Sequence, residues 1–345
     1  MTYKIRENNI PEQFTVHGMR EDFTRFPLEV GEQTSPNVAK LSQLSTGGRI
    51  RFMTNSKSVT YHIQMRESNL NCASDVLADG IYCGKIEPEN YDTDTTMTGT
   101  LSLCPDGIGD ENKMKIVTIF APRTTHLVEM DIELDDGAIV ERAPDYNIKK
   151  PIVFYGSSIT QGACSTSPSK AYTALVAERL GADHINMGFG GSALGEEAIA
   201  NYIASLDMSC FVFDYDYNAP SAEHLEMTHK KFFDIIREKN PDLPIMIMSG
   251  ISRDISCAGS YKRRRIIMDT FHQALDNGDM NVDFINGAYL MGNYDIDSCF
   301  LEGDCHPNEK GFARMANVII PRLRALMMRS GNVIEIDPNL TRLAL

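Results

Sequence analysis

The sequence predicts an α/β chain in two parts: an all-β sandwich of jelly-roll kind over residues 1–148, then a parallel sheet with helices on both faces over 149–345. Two patterns and the chain length carry that expectation. Residues 48–135 alternate apolar and polar side chains with a period of two, as strands do when one face meets a core and the other meets water. From Pro151 onward, short apolar runs alternate with helical stretches, which is what a helix-covered parallel sheet requires. At 345 residues the chain exceeds what one hydrophobic core usually serves.

Taken in order, the first part offers SVTYHIQM (58–65), where Val59, Tyr61, Ile63 and Met65 share a face, and LVEMDIEL (127–134), where Val128, Met130, Ile132 and Leu134 do so. Turn-rich segments such as DGIYCG (79–84) and CPDGIGDEN (104–112) separate such runs, so an antiparallel sandwich follows. Pro144 and the polar stretch up to Pro151 mark the join. Beyond it, strands are expected at Ile152–Tyr155, His184–Met187, Cys210–Asp214, Ile245–Ser249 and Val282–Ile285. Helices are expected at Lys170–Leu180, Ala193–Ser205, Ala222–Lys239, Tyr261–Asn277 and Glu309–Arg329.

A formal charge of -14 argues against nucleic acid or an anionic membrane as partner, because both need a basic surface to displace counterions. The basic run Lys262–Arg265 falls in a helical pattern and reads as a solvated helix face. The start, MTYKIRENNI, has no apolar core of signal-peptide length, and no stretch approaches the ~20 apolar residues of a membrane span, so a cytoplasmic location is expected. The eight cysteines, including Cys164, Cys257 and Cys305, show no metal-ligand spacing and are expected to be reduced and mostly buried.

Four stretches of the second part carry chemistry. Gly156-Ser157-Ser158-Ile159-Thr160-Gln161-Gly162 directly follows an apolar run and precedes a helix, so a serine hydroxyl there can face a cleft while turn N–H groups point at a developing oxyanion; a polar turn with an N-capping serine is the alternative. Asn186–Ser192 is a Gly-rich strand-to-helix turn that lacks the GxGxxG spacing of a dinucleotide site. Asp214-Tyr215-Asp216-Tyr217-Asn218 follows a second apolar run; its two carboxylates could also suit a metal or a glycosidase pair. His306, in Gly303-Asp304-Cys305-His306-Pro307-Asn308, stands on a loop before the last helix, where a capping or packing role is the alternative to a base.

In this order the four stretches resemble the blocks of the SGNH (GDSL-like) hydrolases, across roughly 150–330, and the resemblance implies a flavodoxin-like catalytic sheet. It also implies a nucleophile at Ser158, oxyanion donors at the Gly191 backbone and the Asn218 amide, and a base at His306. Two positions depart from the family pattern: Ser157 stands where aspartate is usual, and Gly303 stands where the acid usually lies, three residues before the histidine. Asp304 is the expected acid, with Glu302 or a backbone carbonyl as the alternatives. Upstream, GGRIRFMT and ASDVLADG look like the N-terminal β-domain of the GxDLY type.

What the resemblance implies is a serine esterase working through an acyl-enzyme, with no cofactor or metal required. The partner expected is a small-molecule ester, an acetylated sugar first. A lipid or thioester acylhydrolase using the same residues, and a non-catalytic carbohydrate-binding protein, are the other readings.

Overall fold

A computed structural model describes residues 1–331 except 68, 70, 71, 111, 252–257 and 293. The chain divides into two compact units, one of residues 1–27, 42–145 and 166–169, the other of 28–41, 146–165 and 170 onward.

In the first unit two antiparallel sheets share one core. One sheet runs Thr2–Arg6, Leu127–Leu134, Ser58–Met65, Thr96–Ser102; the other runs Val140–Glu141, Arg49–Thr54, Lys115–Phe120, Ser74–Ala78, Ile81–Ile86, with Thr15–His17 also paired to Arg49–Thr54. Side chains from both, among them Phe52, Tyr61, Ile119 and Ile132, meet in a single buried cluster. Val59, Tyr61, Ile63 and Met65 are all buried, as the alternation predicts. Val128 is not. A bulge where Met65 pairs with Leu127 shifts the parity, so Leu127 takes the core side and Val128 is 36% exposed.

The second unit is a five-stranded parallel sheet in the order Ala182–Gly188, Ile148–Gly156, Cys210–Asp214, Ile245–Met248, Val282–Ile285. This is the 2-1-3-4-5 order of doubly wound folds. Helices Tyr172–Leu180 and Glu309–Arg329 bury one face, around Ile152, Phe154, Val212 and Phe312. On the other face Tyr155, Phe211 and Phe213 stack against Phe232 of helix Ala222–Lys239. Helices Glu197–Ala204 and Ala258–Asp276 flank that helix.

The helix expected from Ala193 starts later, because Gly191 and Gly195 hold positive φ and 189–196 form a loop instead. Helices Leu28–Thr34 and Pro36–Ser42 had no counterpart in the sequence reading, since seven residues are too few to display a helical period. Among the described residues no helix is long and apolar enough to cross a membrane. Of the seven described cysteines four are buried, Cys72, Cys104, Cys210 and Cys299; Cys257 lies outside the described residues.

Candidate active site

Strand Ile148–Gly156 pairs with both neighbours in such a register that Gly156 lies beside Gly188 on one side and Asp214 on the other. The three following turns therefore leave the sheet from one row at its carboxyl edge. The fit there is close. A Cβ on Gly156 would stand 2.2 Å from Thr160 Oγ1, and one on Gly188 would stand 2.1 Å from the Gln161 backbone nitrogen. Only glycine lets the three turns pack together.

Ser157 follows the strand and caps a four-residue helix, Ser158–Gln161, its hydroxyl accepting the Ile159 N–H at 3.2 Å. The helix closes on Gly162 in the left-handed conformation. The residue standing in place of the family's aspartate is thus a helix cap, while Ser158 begins the helix and is half-buried.

His306 arrives from the far end of the chain. Asn308 caps the final helix through the Gly311 N–H and donates to the carbonyls of Ser298 and Phe300, which anchors the preceding loop. Within it, Leu301 N–H donates to the His306 carbonyl and Asp304 N–H to the Leu301 carbonyl, a tight turn passing through Gly303 at φ 70°. The turn brings three side chains into one line: Ser158 Oγ lies 2.8 Å from His306 Nε2, and His306 Nδ1 lies 2.7 Å from Asp304 Oδ1. Asp304 Oδ1 also accepts the His306 backbone N–H at 3.1 Å. The hydrogen bond from the His306 side chain, more than any other contact, holds the Asp304 carboxyl below the usual carboxylate range.

The departure at position 303 has a backbone cause: the left-handed φ there favours glycine, so the next residue carries the carboxylate that reaches the ring. Glu302 is exposed.

The family model for GDSL-like lipases and acylhydrolases matches residues 149–324, and that for the GxDLY N-terminus of SGNH-hydrolase-type esterases matches 3–77. The chain belongs to the GDSL-like lipase/acylhydrolase family. As such it is a carboxylic ester hydrolase. No curated protein matches it by sequence. Among solved structures it is similar to a Bacteroides ovatus protein described as a GDSL-like lipase, at 23% identity and TM-score 0.79, covering 95% of this chain and 98% of that one. It is also similar to the salicylyl-acyltransferase SsfX3 of a tetracycline biosynthetic pathway, at 22% identity and TM-score 0.73, with 94% and 97% covered. A third is the acetyl xylan esterase Est2A of Butyrivibrio proteoclasticus, at 14% identity and TM-score 0.60, with 94% and 98% covered. At these identities the likeness is one of fold.

Around the GDSL-like site, the remaining turns are held by contacts that no sequence spacing announces. The Gly190 N–H is taken by Gln161 Oε1 at 2.9 Å, and a Cβ on Gly190 would stand 3.5 Å from that of Ser158. Gly191, the next residue, is exposed at φ 69°, and among the described residues its N–H makes no hydrogen bond. The reason for glycine at 191 is this backbone conformation; a Cβ there would touch nothing, whereas close approach is the constraint at Gly190.

Asn218 sits on the turn after Asp214. Its amide oxygen is buried with no hydrogen-bond partner among the described residues, and it makes no hydrogen bond to Ser158. Arg263 clamps this turn: its Nε donates to Asp216 Oδ1 at 2.7 Å, and its Nη2 donates to the carbonyls of Asp216 and Ala219. Asp216 Oδ2 also accepts the Gly250 N–H at 2.8 Å. The expected solvated face at Lys262–Arg265 is thus corrected at two positions, because Arg263 is tied to the turn and Arg264 is buried. Asp214 is no partner of a metal or of Asp216 in a glycosidase pair here: its Oδ2 accepts from Thr160 and Tyr172, both at 2.9 Å. Burial pushes its carboxyl up to about 7. Asn186 completes the floor, donating to the Thr160 carbonyl and accepting the Gly188 N–H.

Proposed function

We propose that this acylhydrolase is a serine esterase that removes a small acyl group, acetyl first, from a carbohydrate through an acyl-enzyme on Ser158. The hydrogen-bonded line from Ser158 through His306 to Asp304 is the observation that supports it. His306 Nε2 takes the Ser158 proton as Oγ attacks the ester carbonyl. The oxyanion is stabilised by the N–H groups of Ser158 and Gly191 and by the Asn218 amide. His306 then returns the proton to the departing alcohol, which leaves the acyl group on Ser158. Water, deprotonated by the same imidazole, attacks the acyl-enzyme and releases the acid.

The acetyl-carbohydrate choice draws on the likeness to the acetyl xylan esterase and on the pairing of a β-domain with this catalytic fold. Initial rates on acetyl, butyryl and longer esters, followed by acetate release from acetylated oligosaccharides, test the reading. Wild type should prefer acetyl, and Ser158→Ala should fall to the uncatalysed background. Equal rates in wild type and Ser158→Ala would refute the serine mechanism, and a preference for long chains would refute the substrate class.

A further inference from the structure

Cys164 stands in the second unit, just beyond the Gly162 cap, at φ 69°, a left-handed conformation uncommon for a residue with a side chain. Ligand atoms of Cys164, Asp304 and His306 all lie within 4.8 Å of one another, and the three residues are half-buried, so an ion has access from solvent. Thiolate, carboxylate and neutral imidazole together form a zinc-type donor set, whereas magnesium and calcium favour all-oxygen sites. Tetrahedral zinc with bonds of about 2.0–2.3 Å spaces its ligands by roughly 3.3–3.8 Å. Side-chain rotation can close a gap of about 1 Å.

We propose that Cys164, Asp304 and His306 form an inhibitory site for a zinc-class divalent cation, with water in the fourth position. This rests on the assignment of His306 as the base. On binding, the Cys164 thiol releases its proton to solvent as the sulfur–metal bond forms, and the imidazole binds as the neutral ring. Either ring nitrogen gives the same result. A cation on Nε2 breaks the hydrogen bond to Ser158, and a cation on Nδ1 breaks the hydrogen bond to Asp304, whose carboxylate binds the ion instead, and leaves the remaining proton on Nε2, where no lone pair is left for the serine proton. The cation therefore switches the hydrolase off without leaving the site it controls.

Binding is tested apart from activity in metal-stripped Ser158→Ala protein. Calorimetry should show one zinc per chain. Cobalt in its place should give the charge-transfer absorption of a thiolate ligand. Losing even an outer-shell partner costs about 10–100-fold in metal affinity, so adding Cys164→Ser should weaken zinc by at least about tenfold and abolish the cobalt band. Magnesium should not compete. In the active protein, zinc should inhibit reversibly by chelator, and Cys164→Ser should need at least about tenfold more zinc to halve its own zinc-free rate. Should Cys164→Ser melt early, Cys164→Ala serves in its place. Unchanged zinc affinity and cobalt spectrum in the Cys164 variants would overturn the site. So would loss of both in Cys305→Ser alone, since Cys305 Sγ is 3.9 Å from His306 Nδ1. A protein that binds zinc through Cys164 yet hydrolyses no ester would instead overturn the function assigned to Ser158 and His306.

Discussion

Replacing Asp304 by asparagine tests which group orients the imidazole. Asp304 Oδ1 accepts two hydrogen bonds from His306, from the side chain at 2.7 Å and from the backbone N–H at 3.1 Å. Asparagine can keep the backbone bond, but it removes the charge that stabilises the imidazolium. If its amide donates to Nδ1, the ring proton moves to Nε2, where Ser158 needs an acceptor. In a buried serine-protease triad this substitution costs about 10⁴ in kcat. The Asp304 side chain is 39% exposed. Water therefore screens its charge and can replace it as an acceptor, which lowers the expected loss to roughly 10²-fold. Initial rates on an acetyl ester, with a melting curve to show that the fold is kept, read this directly. Glu302→Gln should stay near wild type. The exchange Gly303→Asp/Asp304→Gly restores the family spacing but places a side chain at φ 70°, so it should be no faster than Asp304→Asn. Because the Asp304 carboxyl titrates below its ordinary 3.8, its contribution is present above that value and is lost only as pH falls through the lower one. Full turnover in Asp304→Asn, a large loss in Glu302→Gln, or wild-type rates in the exchange variant would refute the assignment.

Three further outcomes follow from the supporting contacts. Arg263→Ala leaves the nearly buried Asp216 carboxylate without its counter-charge, at about 3 kcal/mol; it should lower the melting temperature by roughly 6–12 °C and reduce kcat more than it raises KM, and a variant indistinguishable in melting and rate would remove the clamp. Gly188→Ala places a Cβ 2.1 Å from backbone, so it should destabilise by about 1–3 kcal/mol and slow turnover, whereas wild-type behaviour would show that the Ser158 turn has room to move. Asp214, held at about 7 by burial, keeps a proton in the folded protein that the unfolded chain has already released above 3.8; stability should fall as pH rises between those values, and Asp214→Asn should flatten that slope in melting curves taken from pH 4 to 8. An unchanged slope would show that Asp214 is not its source.

Much of the catalytic unit was legible in the sequence because its signals are local. Cys210–Asp214 and Val282–Ile285 stand at the ends their apolar runs predict, and helices Ala222–Lys239 and Glu309–Arg329 begin after capping residues, Ser221 and Asn308, that sit beside them in the chain. The four motif stretches carry their residue types in the open, and that was enough to name Ser158, Gly191, Asn218 and His306 as candidates. Local signals failed where a distant partner decides the outcome. Alternation along 127–134 cannot reveal that a bulge opposite Met65 sends Val128 outward. A run of four basic residues gives no sign that one of them grips a turn 47 positions earlier.

By itself, the order of residues determined the two-part architecture, the family, and the kinds of group available for chemistry, because apolar periodicity and turn chemistry act over a few neighbours. Tertiary structure alone decided which carboxylate meets the imidazole and which glycine yields to close approach. It also decided that Cys164 stands beside Asp304 and His306. Those outcomes depend on sheet register and on backbone φ at single positions, quantities set only when the turns pack against one another.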